Sequence, residues 1–287
     1  MLRTDNTITL RDGRRLGYSE FGDPKGFPVL YFHGIPGSRL QRPVDLDFLD
    51  RRRVHVFGLE RPGIGLSDYQ EDRRIENWPA DVARFMEQRG IKSCGIVGVS
   101  GGGPYALSCA LAYPERVREL FLISSMVPLN ISSNWESFSP EMRLVFRAAQ
   151  RFPKTLSGFL NLLKPMVDLR VEQIFMRMTG RLPEEDLRIL SDPNVAAMFK
   201  SDIREAIRQG GDGIVAELRA LMNPWELPLG ELRVPVRIWH GSEDTIVPLE
   251  AGRYLACRIP NARFSVVNRG GHFIALEIIE KVLVSDP

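Results

Sequence analysis

The chain of 287 residues is 44% hydrophobic and 26% charged, which is the composition of an ordinary globular protein and the length of one large domain, or of a domain with an insertion. Thirty-eight basic and 36 acidic side chains leave a net charge of +2, which argues against nucleic acid or an anionic membrane as a partner. No segment approaches the ~18 apolar residues of a membrane span, and the polar N-terminus lacks the apolar core of a secretion signal.

The predicted strands are short apolar segments that alternate with helix-like segments along most of the chain. The first two form an antiparallel pair around Asp12-Gly13, and the later ones read as strands buried on both faces of a sheet. Helices are predicted from Pro79 to Gly90, after Ser100, near 249–258 and from about 273. The strands, in chain order, are 7–10, 15–20, 29–34, 54–60, 94–100, 118–125, 234–241 and 263–268.

The alternation stops in the middle of the chain, where residues 130 to about 224 contain amphipathic helical patterns and no convincing strand. Strand–helix alternation on both sides of this region predicts an α/β fold, with a mostly parallel central sheet and helices on both faces. We expect residues 1–127 and 225–287 to form the core and residues 128–224 to form an inserted, all-helical cap.

The cysteines, Cys94, Cys109 and Cys257, are odd in number, widely spaced and set in apolar contexts. This pattern matches neither a disulfide framework nor a set of metal ligands. We therefore expect buried, reduced thiols, no metal site and a cytoplasmic location.

The segment "GIVGVSGGGPYALSCA" (95–110) contains the sequence Gly98-Val99-Ser100-Gly101-Gly102, the one G-x-S-x-G pattern in the chain. A buried strand precedes it and a helix follows, which is the setting of a nucleophile elbow that exposes a serine hydroxyl on a strained turn. Gly98 and Gly102 would let strand and helix approach each other beside the turn. A phosphate-binding loop is the alternative, but no Lys-Ser or Lys-Thr follows the glycines.

A serine nucleophile needs a base, and the base needs an orienting carboxylate. Among the histidines, His272 lies in the glycine-containing loop "NRGGHF" after the last strand, whereas His33, His55 and His240 lie in or at the ends of strands. We predict that His272 is the base. The loop after the strand at 234–241 offers Asp244 as the acid, with the neighbouring Glu243 as the fallback.

An oxyanion that forms on a substrate requires backbone N–H donors. The Gly101 N–H stands at the start of the helix after the elbow, where the helix dipole also favours negative charge. The glycine-rich turn "HGIPGS" (33–38) follows a strand, and we nominate the N–H of Ile35 as the second donor.

These motifs resemble those of the α/β-hydrolase superfamily, in the group with a nucleophilic serine and a helical cap. The resemblance covers nearly all of the chain outside the cap, and it implies the fold and the same roles for Ser100, Asp244 and His272. Glu60 departs from the pattern, since relatives commonly have Asp there. The matching stretches are "HGIPGSR" (33–39), "RPGIGLSD" (61–68), "GVSGGGPYAL" (98–107), "WHGSEDTIVP" (239–248) and "GGHF" (270–273).

The expected function is a cofactor-independent serine hydrolase that cleaves a small or medium carboxylic ester with an apolar portion. Methionines and phenylalanines are frequent in the predicted cap, where they could line a pliable apolar pocket or simply pack the cap onto the core. The segment "LPEEDL" (182–187) is interpreted as a helix start whose acids complement the helix dipole. Three alternatives stay open: a proline-type aminopeptidase, a carbon–carbon bond hydrolase on the same triad, and a non-catalytic ligand receptor.

Overall fold

The fold is built around one sheet of eight strands. The computed structural model describes residues 2–42, 45–179 and 182–284. The strand order is β1-β2-β4-β3-β5-β6-β7-β8, with β1–β2 and β2–β4 antiparallel and all the later pairs parallel. The strands are β1 (Leu2–Thr9), β2 (Arg15–Gly22), β3 (Phe27–Phe32), β4 (Val54–Leu59), β5 (Cys94–Val99), β6 (Val117–Ile123), β7 (Val236–Gly241) and β8 (Arg263–Val267). The predicted mostly parallel sheet is confirmed.

Helices cover both faces of the sheet, because neighbouring residues of each central strand point to opposite sides. Ile96 of β5 faces a large apolar cluster that includes residues of helices α2 (Trp78–Arg89), α3 (Gly103–Ala112) and α10 (Leu249–Arg258). Val97, the next residue, faces a second cluster that includes residues of α1 (Leu46–Arg51) and α11 (Ala275–Val284). Burial on both faces explains why these strands read as unbroken apolar segments in the sequence.

The predicted helix boundaries in the core agree closely with the structure. Pro79 lies in the first turn of α2, and Gly90 ends that helix with a left-handed φ of 67°. The short helix α1 was not predicted from the sequence. The N-terminal strand pair is longer than predicted, since β1 begins at Leu2 and β2 extends to Gly22.

Besides the short 3-10 helix Leu229–Glu231, the described residues between β6 and β7 form six α-helices and no strand. We call them the cap helices; the division of the chain into core and cap domains stays a prediction. Their apolar faces pack partly on each other, as where the Phe146 ring meets Phe138 edge-on at 6.4 Å. They are α4 (Ser132–Ser137), α5 (Pro140–Arg151), α6 (Pro153–Thr179), α7 (Glu184–Ser191), α8 (Pro193–Ala206) and α9 (Asp212–Met222).

One expectation about the cysteines is wrong. Cys94 and Cys109 are buried free thiols, but Cys257 is exposed, because it lies on the outer face of α10. The helices in the described part of the chain include none that is both long and apolar enough to cross a bilayer.

Candidate active site

Ser100 lies at the turn between β5 and α3, as the elbow interpretation predicts. Its φ of 52° is in the left-handed region, which non-glycine residues seldom adopt. The backbone enters the turn from a fully buried strand and continues directly through a short 3-10 turn into α3. The side chain therefore projects from the carboxyl end of the sheet, where the loops after the parallel strands meet.

The glycines of the elbow leave room for close backbone approach. A Cβ on Gly98 would lie 2.8 Å from the Ala106 Cβ, so this glycine lets α3 pack against β5 as predicted. A Cβ on Gly102 would lie 2.1 Å from the Phe32 carbonyl oxygen, so this glycine instead lets the start of α3 approach the end of β3. Both positions thus exclude any side chain.

His272 and Asp244 are hydrogen-bonded to each other in the loops that follow β8 and β7. His272 Nδ1 lies 2.8 Å from Asp244 Oδ2, and both side chains are buried. The other carboxylate oxygen, Oδ1, accepts hydrogen bonds from the N–H groups of Ile246 at 2.9 Å and Val247 at 2.8 Å. Those two bonds fix the carboxylate, so that it holds His272 with Nδ1–H donating and leaves Nε2 as the available base.

Electrostatic interactions within this pair favour the charged forms of both side chains. Burial by itself raises the pKa of the Asp244 carboxyl, but the charge of His272 and hydrogen bonds from His240 and His272 hold that pKa well below its usual range. Burial lowers the pKa of His272, yet the Asp244 carboxylate outweighs burial and the net shift is upward. Asp244 is thus a carboxylate that stabilises positive charge on the imidazole.

Glu243 and His55 lie apart from the His272–Asp244 pair, whereas His240 lies next to Asp244. The Glu243 side chain is exposed, so it is not the residue that pairs with His272. His240 is buried with Nε2 2.8 Å from the Val247 carbonyl oxygen and 3.5 Å from Asp244 Oδ2. His55 is paired with Glu20 in the core, at 3.2 Å.

The loop that carries Ile35 lies directly beside the elbow. A Cβ on Gly101 would lie 2.9 Å from Ile35 Cγ2 and 3.6 Å from the Ile35 nitrogen, so the two nominated donors are close neighbours. The Gly34 N–H already donates to Gln41 Oε1 at 3.0 Å, which leaves the next N–H as the candidate donor. A Cβ on Gly34 would lie 3.4 Å from the Ser100 Cβ, so this loop faces the serine.

Ser100 and His272 line the same cavity, which has a volume of about 120 Å³. The Tyr31 and Gln41 side chains are polar groups in its wall, and the rest of the wall is mainly apolar. The described residues that line it include no Lys, Arg, Asp or Glu. Apolar side chains come from the core and from the cap helices, with Ile35, Val99, Ile246, Phe273 and Leu276 from the former and Phe199 and Ile203 from the latter.

Most of the aromatic side chains of the predicted cap do not line this cavity. Phe138 and Phe146 are buried in the large apolar cluster that the cap helices share with the core, and Phe152 and Phe159 are exposed. Phe199 alone of the described cap phenylalanines lines the cavity, and no described methionine does. The Phe175 side chain lies outside the described residues. Packing of the cap onto the core is thus the better interpretation for Phe138 and Phe146.

Asp186 is the residue in this region that sequence reasoning missed. The first two acids of "LPEEDL" face solvent wholly or in part, as a dipole-complementing helix start predicts, but Asp186 is buried. Its carboxylate accepts the His272 N–H at 2.8 Å and the Phe273 N–H at 2.9 Å. The spacing in the sequence contained a signal for the burial of Asp186, since this residue shares a helix face with the apolar Ile189 and Leu190.

The comparisons with known proteins agree with this architecture. The family described as alpha/beta hydrolase fold matches residues 28–277, and the chain belongs to that family. It is 28% identical over 285 residues to a 2-hydroxymuconate semialdehyde hydrolase of Pseudomonas putida, covering 95% of this chain and 89% of that protein. It is 27% identical over 265 residues to a bifunctional esterase/perhydrolase of Acinetobacter calcoaceticus, covering 89% and 88%.

Solved structures also share the fold over the whole chain. A thermophilic esterase from Thermogutta terrifontis superimposes with a TM-score of 0.69 at 23% identity, covering 99% of this chain and 95% of that one. Family membership and these relatives identify the protein as a hydrolase of the α/β-hydrolase fold.

Proposed function

We propose that the protein is a cofactor-independent serine hydrolase that cleaves carboxylic esters through an acyl-enzyme. The observation that carries the proposal is the hydrogen bond between His272 Nδ1 and Asp244, together with the cavity that His272 shares with Ser100. A histidine paired with a carboxylate, in a cavity that a serine also lines, supports acyl transfer by a nucleophile, a base and an orienting acid. Ser100 is the proposed nucleophile, His272 the base and Asp244 the acid.

In the first half of the reaction the Ser100 hydroxyl attacks the ester carbonyl while His272 Nε2 accepts its proton. The negative charge moves to the carbonyl oxygen, where the N–H groups of Ile35 and Gly101 are the proposed donors. Removing one such donor from a serine protease costs about 3–4 kcal/mol of transition-state stabilisation. Collapse of the intermediate expels the alcohol, which takes the proton from His272 and leaves Ser100 acylated.

In the second half, water attacks the acyl-enzyme with His272 again accepting the proton. The second tetrahedral intermediate collapses, the Ser100 oxygen takes the proton back, and the carboxylic acid leaves. Asp244 keeps its charge throughout and stabilises the imidazolium that forms in both halves. The raised pKa of His272 is consistent with this role, because it reflects stabilisation of the charged form by the carboxylate.

The dimensions of the cavity favour a short acyl group. Its volume of about 120 Å³ is small beside the ~300–1,000 Å³ of pockets that enclose a drug-sized ligand. The mostly apolar wall suits a hydrocarbon chain. We therefore propose esters of short-chain acids as the preferred substrates.

A carbon–carbon bond hydrolase is the second candidate, because a relative at 28% identity is named as a 2-hydroxymuconate semialdehyde hydrolase. A substrate of that kind carries a carboxylate, which a buried site binds through a cation. The described residues of the cavity wall provide neither Lys nor Arg, which favours a neutral ester. The same wall provides no described acid for the free amine that an aminopeptidase substrate carries.

The test is a panel of substrates assayed with the wild type and with Ser100→Ala. p-Nitrophenyl acetate, butyrate and octanoate probe esters; a 2-hydroxy-6-oxo-dienoate probes carbon–carbon cleavage; and proline-naphthylamide probes aminopeptidase activity. We expect the highest kcat/KM on the acetate or butyrate, loss of turnover in Ser100→Ala, and labelling of Ser100 by a fluorophosphonate. Higher kcat/KM on the dienoate would replace the ester assignment, and an unlabelled Ser100 would favour a receptor.

A further inference from the structure

Three carboxylates of the cap helices are buried against loops of the core. Asp186 of α7, Asp202 of α8 and Glu217 of α9 are each at most 1% exposed. Taking three charged groups out of water is costly unless each is fully paired. Asp186 and Asp202 bind core loops that carry parts of the candidate active site, and Glu217 binds an arginine that contacts one of those loops. None of the three is used in the reaction proposed above.

Asp186 binds the loop that carries the histidine. Its two oxygens accept the N–H groups of His272 and Phe273, which are the first residues of the turn that leads into α11. The carboxylate lies so close to the backbone that a Cβ on Gly271 would stand 2.2 Å from Asp186 Oδ2. The Phe273 ring also packs edge-on against Phe199 of α8, with 5.1 Å between the ring centres.

Asp202 binds the loop that carries the proposed oxyanion donor. Its Oδ1 accepts the Ser38 N–H at 2.7 Å and the Ser38 hydroxyl at 2.6 Å, and its Oδ2 accepts Gln41 Nε2 at 2.8 Å. The other end of the same Gln41 amide accepts the Gly34 N–H. A chain of hydrogen bonds therefore runs from α8 through Gln41 to the residue before Ile35.

Glu217 holds the same loop from a second direction. It forms an ion pair with Arg61 at 2.6 Å, and a second with Arg73. The Arg61 guanidinium in turn donates to the His33 carbonyl oxygen at 2.8 Å and to the Gly34 carbonyl oxygen at 2.9 Å. Both carbonyls of the turn before Ile35 are thereby held by a cation that a cap carboxylate neutralises.

The cap helices and the core also touch through backbone alone at one point. A Cβ on Gly213 of α9 would lie 2.0 Å from the Gly63 carbonyl oxygen, so there is no room for a side chain where these two glycines meet. Nearby, the Gln209 side chain donates to the carbonyl oxygens of Gly65 and Ser67, each at 2.8 Å. Close backbone contact fixes the distance at which the carboxylates meet their partners.

From these contacts we infer that Asp186, Asp202 and Glu217 are positioning residues, through which docking of the cap helices sets the histidine loop and the oxyanion loop. The inference rests on the proposed function. The cap helices then form part of the catalytic scaffold: any displacement of α7 removes two hydrogen bonds from the histidine loop. Such displacement lowers activity mainly through kcat, since it moves the proposed base out of line with the proposed nucleophile.

The decisive variant is Asp186→Asn, which keeps the shape but removes the charge and one acceptor. We expect kcat/KM on a p-nitrophenyl ester to fall by about tenfold to 100-fold, mainly through kcat, as misplacement of a catalytic group causes. The acidic limb of the pH profile should move to lower pH, because the Asp186 charge raises the pKa of His272. If Asp186 only stabilised the fold, its replacement would not move the acidic limb of the pH profile.

The matched control is Glu184→Gln, on the same helix two residues earlier, whose side chain is 92% exposed. It should retain wild-type kcat/KM and the wild-type limb. Asp202→Asn is the second test: it should lower kcat and the rate of fluorophosphonate labelling of Ser100, with the acidic limb unmoved. If Asp186→Asn does not fold, as judged by circular dichroism, Asp202→Asn decides the question with these assays.

Two results would overturn the inference. One is a folded Asp186→Asn with the kinetics and pH limb of the control. The other is an Asp202→Asn protein that melts earlier but has unchanged kcat and labelling rate. Failure of the proposed function is distinguishable, because it appears without any substitution in the cap helices: turnover survives Ser100→Ala, or the wild type is not labelled at Ser100.

Discussion

Replacing Asp244 with asparagine removes one charge from a buried site without changing its shape. In the wild type, Oδ1 of the carboxylate accepts two backbone N–H groups and Oδ2 faces His272 Nδ1. The asparagine amide must keep its oxygen on the two N–H groups, because its NH₂ group would otherwise oppose two donors. The NH₂ group therefore faces His272 Nδ1.

That orientation forces the wrong tautomer on the imidazole. Nδ1 must then accept a hydrogen bond, the ring proton moves to Nε2, and Nε2 is no longer able to accept the Ser100 proton. The same substitution in serine proteases lowers kcat about 10⁴-fold, which is about 5.4 kcal/mol of activation free energy. We expect a loss of this size for Asp244→Asn, together with the loss of charge stabilisation for the imidazolium.

The assay is kcat/KM for p-nitrophenyl acetate near neutral pH, with folding checked by thermal melting. Glu243→Gln is the matched control, since Glu243 is the adjacent acid and its side chain is exposed. The control should stay within twofold of the wild type. A folded Asp244→Asn protein whose kcat/KM lies within tenfold of the wild type would refute the reasoning.

Three further outcomes are expected. The acidic limb of kcat/KM should lie above the ordinary histidine value of 6.5, because the Asp244 charge outweighs burial and raises the pKa of His272; a limb below 6.5 would contradict this. Burial raises the pKa of Asp202 from 3.8 to about 7, so the contribution of Asp202 to the free energy of unfolding falls as the pH rises between those values. The melting temperature of the wild type should therefore fall relative to that of Asp202→Asn over this range. A difference in melting temperature that stays constant with pH would contradict this prediction. Phe199→Ala should enlarge the cavity, so that the ratio of butyrate or octanoate to acetate kcat/KM rises; an unchanged ratio would place the acyl group elsewhere.

Some features of the site were readable from the sequence because local constraints determine them. A serine held with positive φ between a buried strand and a helix requires glycines around it, and those glycines are visible in the chain. The prediction that His272 and Asp244 meet followed from a second general rule. Loops after parallel strands converge at one edge of the sheet, whatever the intervening sequence.

Other features depended on contacts between segments that are far apart in the chain. Three acids stand side by side at the start of α7, and only the packing of that helix against the loop of His272 selects Asp186 for burial. Cys257 looked apolar in its context, yet the face of α10 on which it lies is turned to solvent. Phe152 and Phe159 likewise fit an apolar pattern and are exposed.

The sequence by itself determined the alternation of strands and helices, the elbow at Ser100 and the order in which the candidate catalytic residues follow one another. These depend on burial patterns and backbone requirements that act over a few residues. Only the tertiary structure decided which cap side chains reach the site, how small the cavity is, and that Gln41 and Arg61 hold the turn before Ile35. Those contacts join residues far apart in the chain, and a side chain's neighbours across such distances are set by how the helices pack.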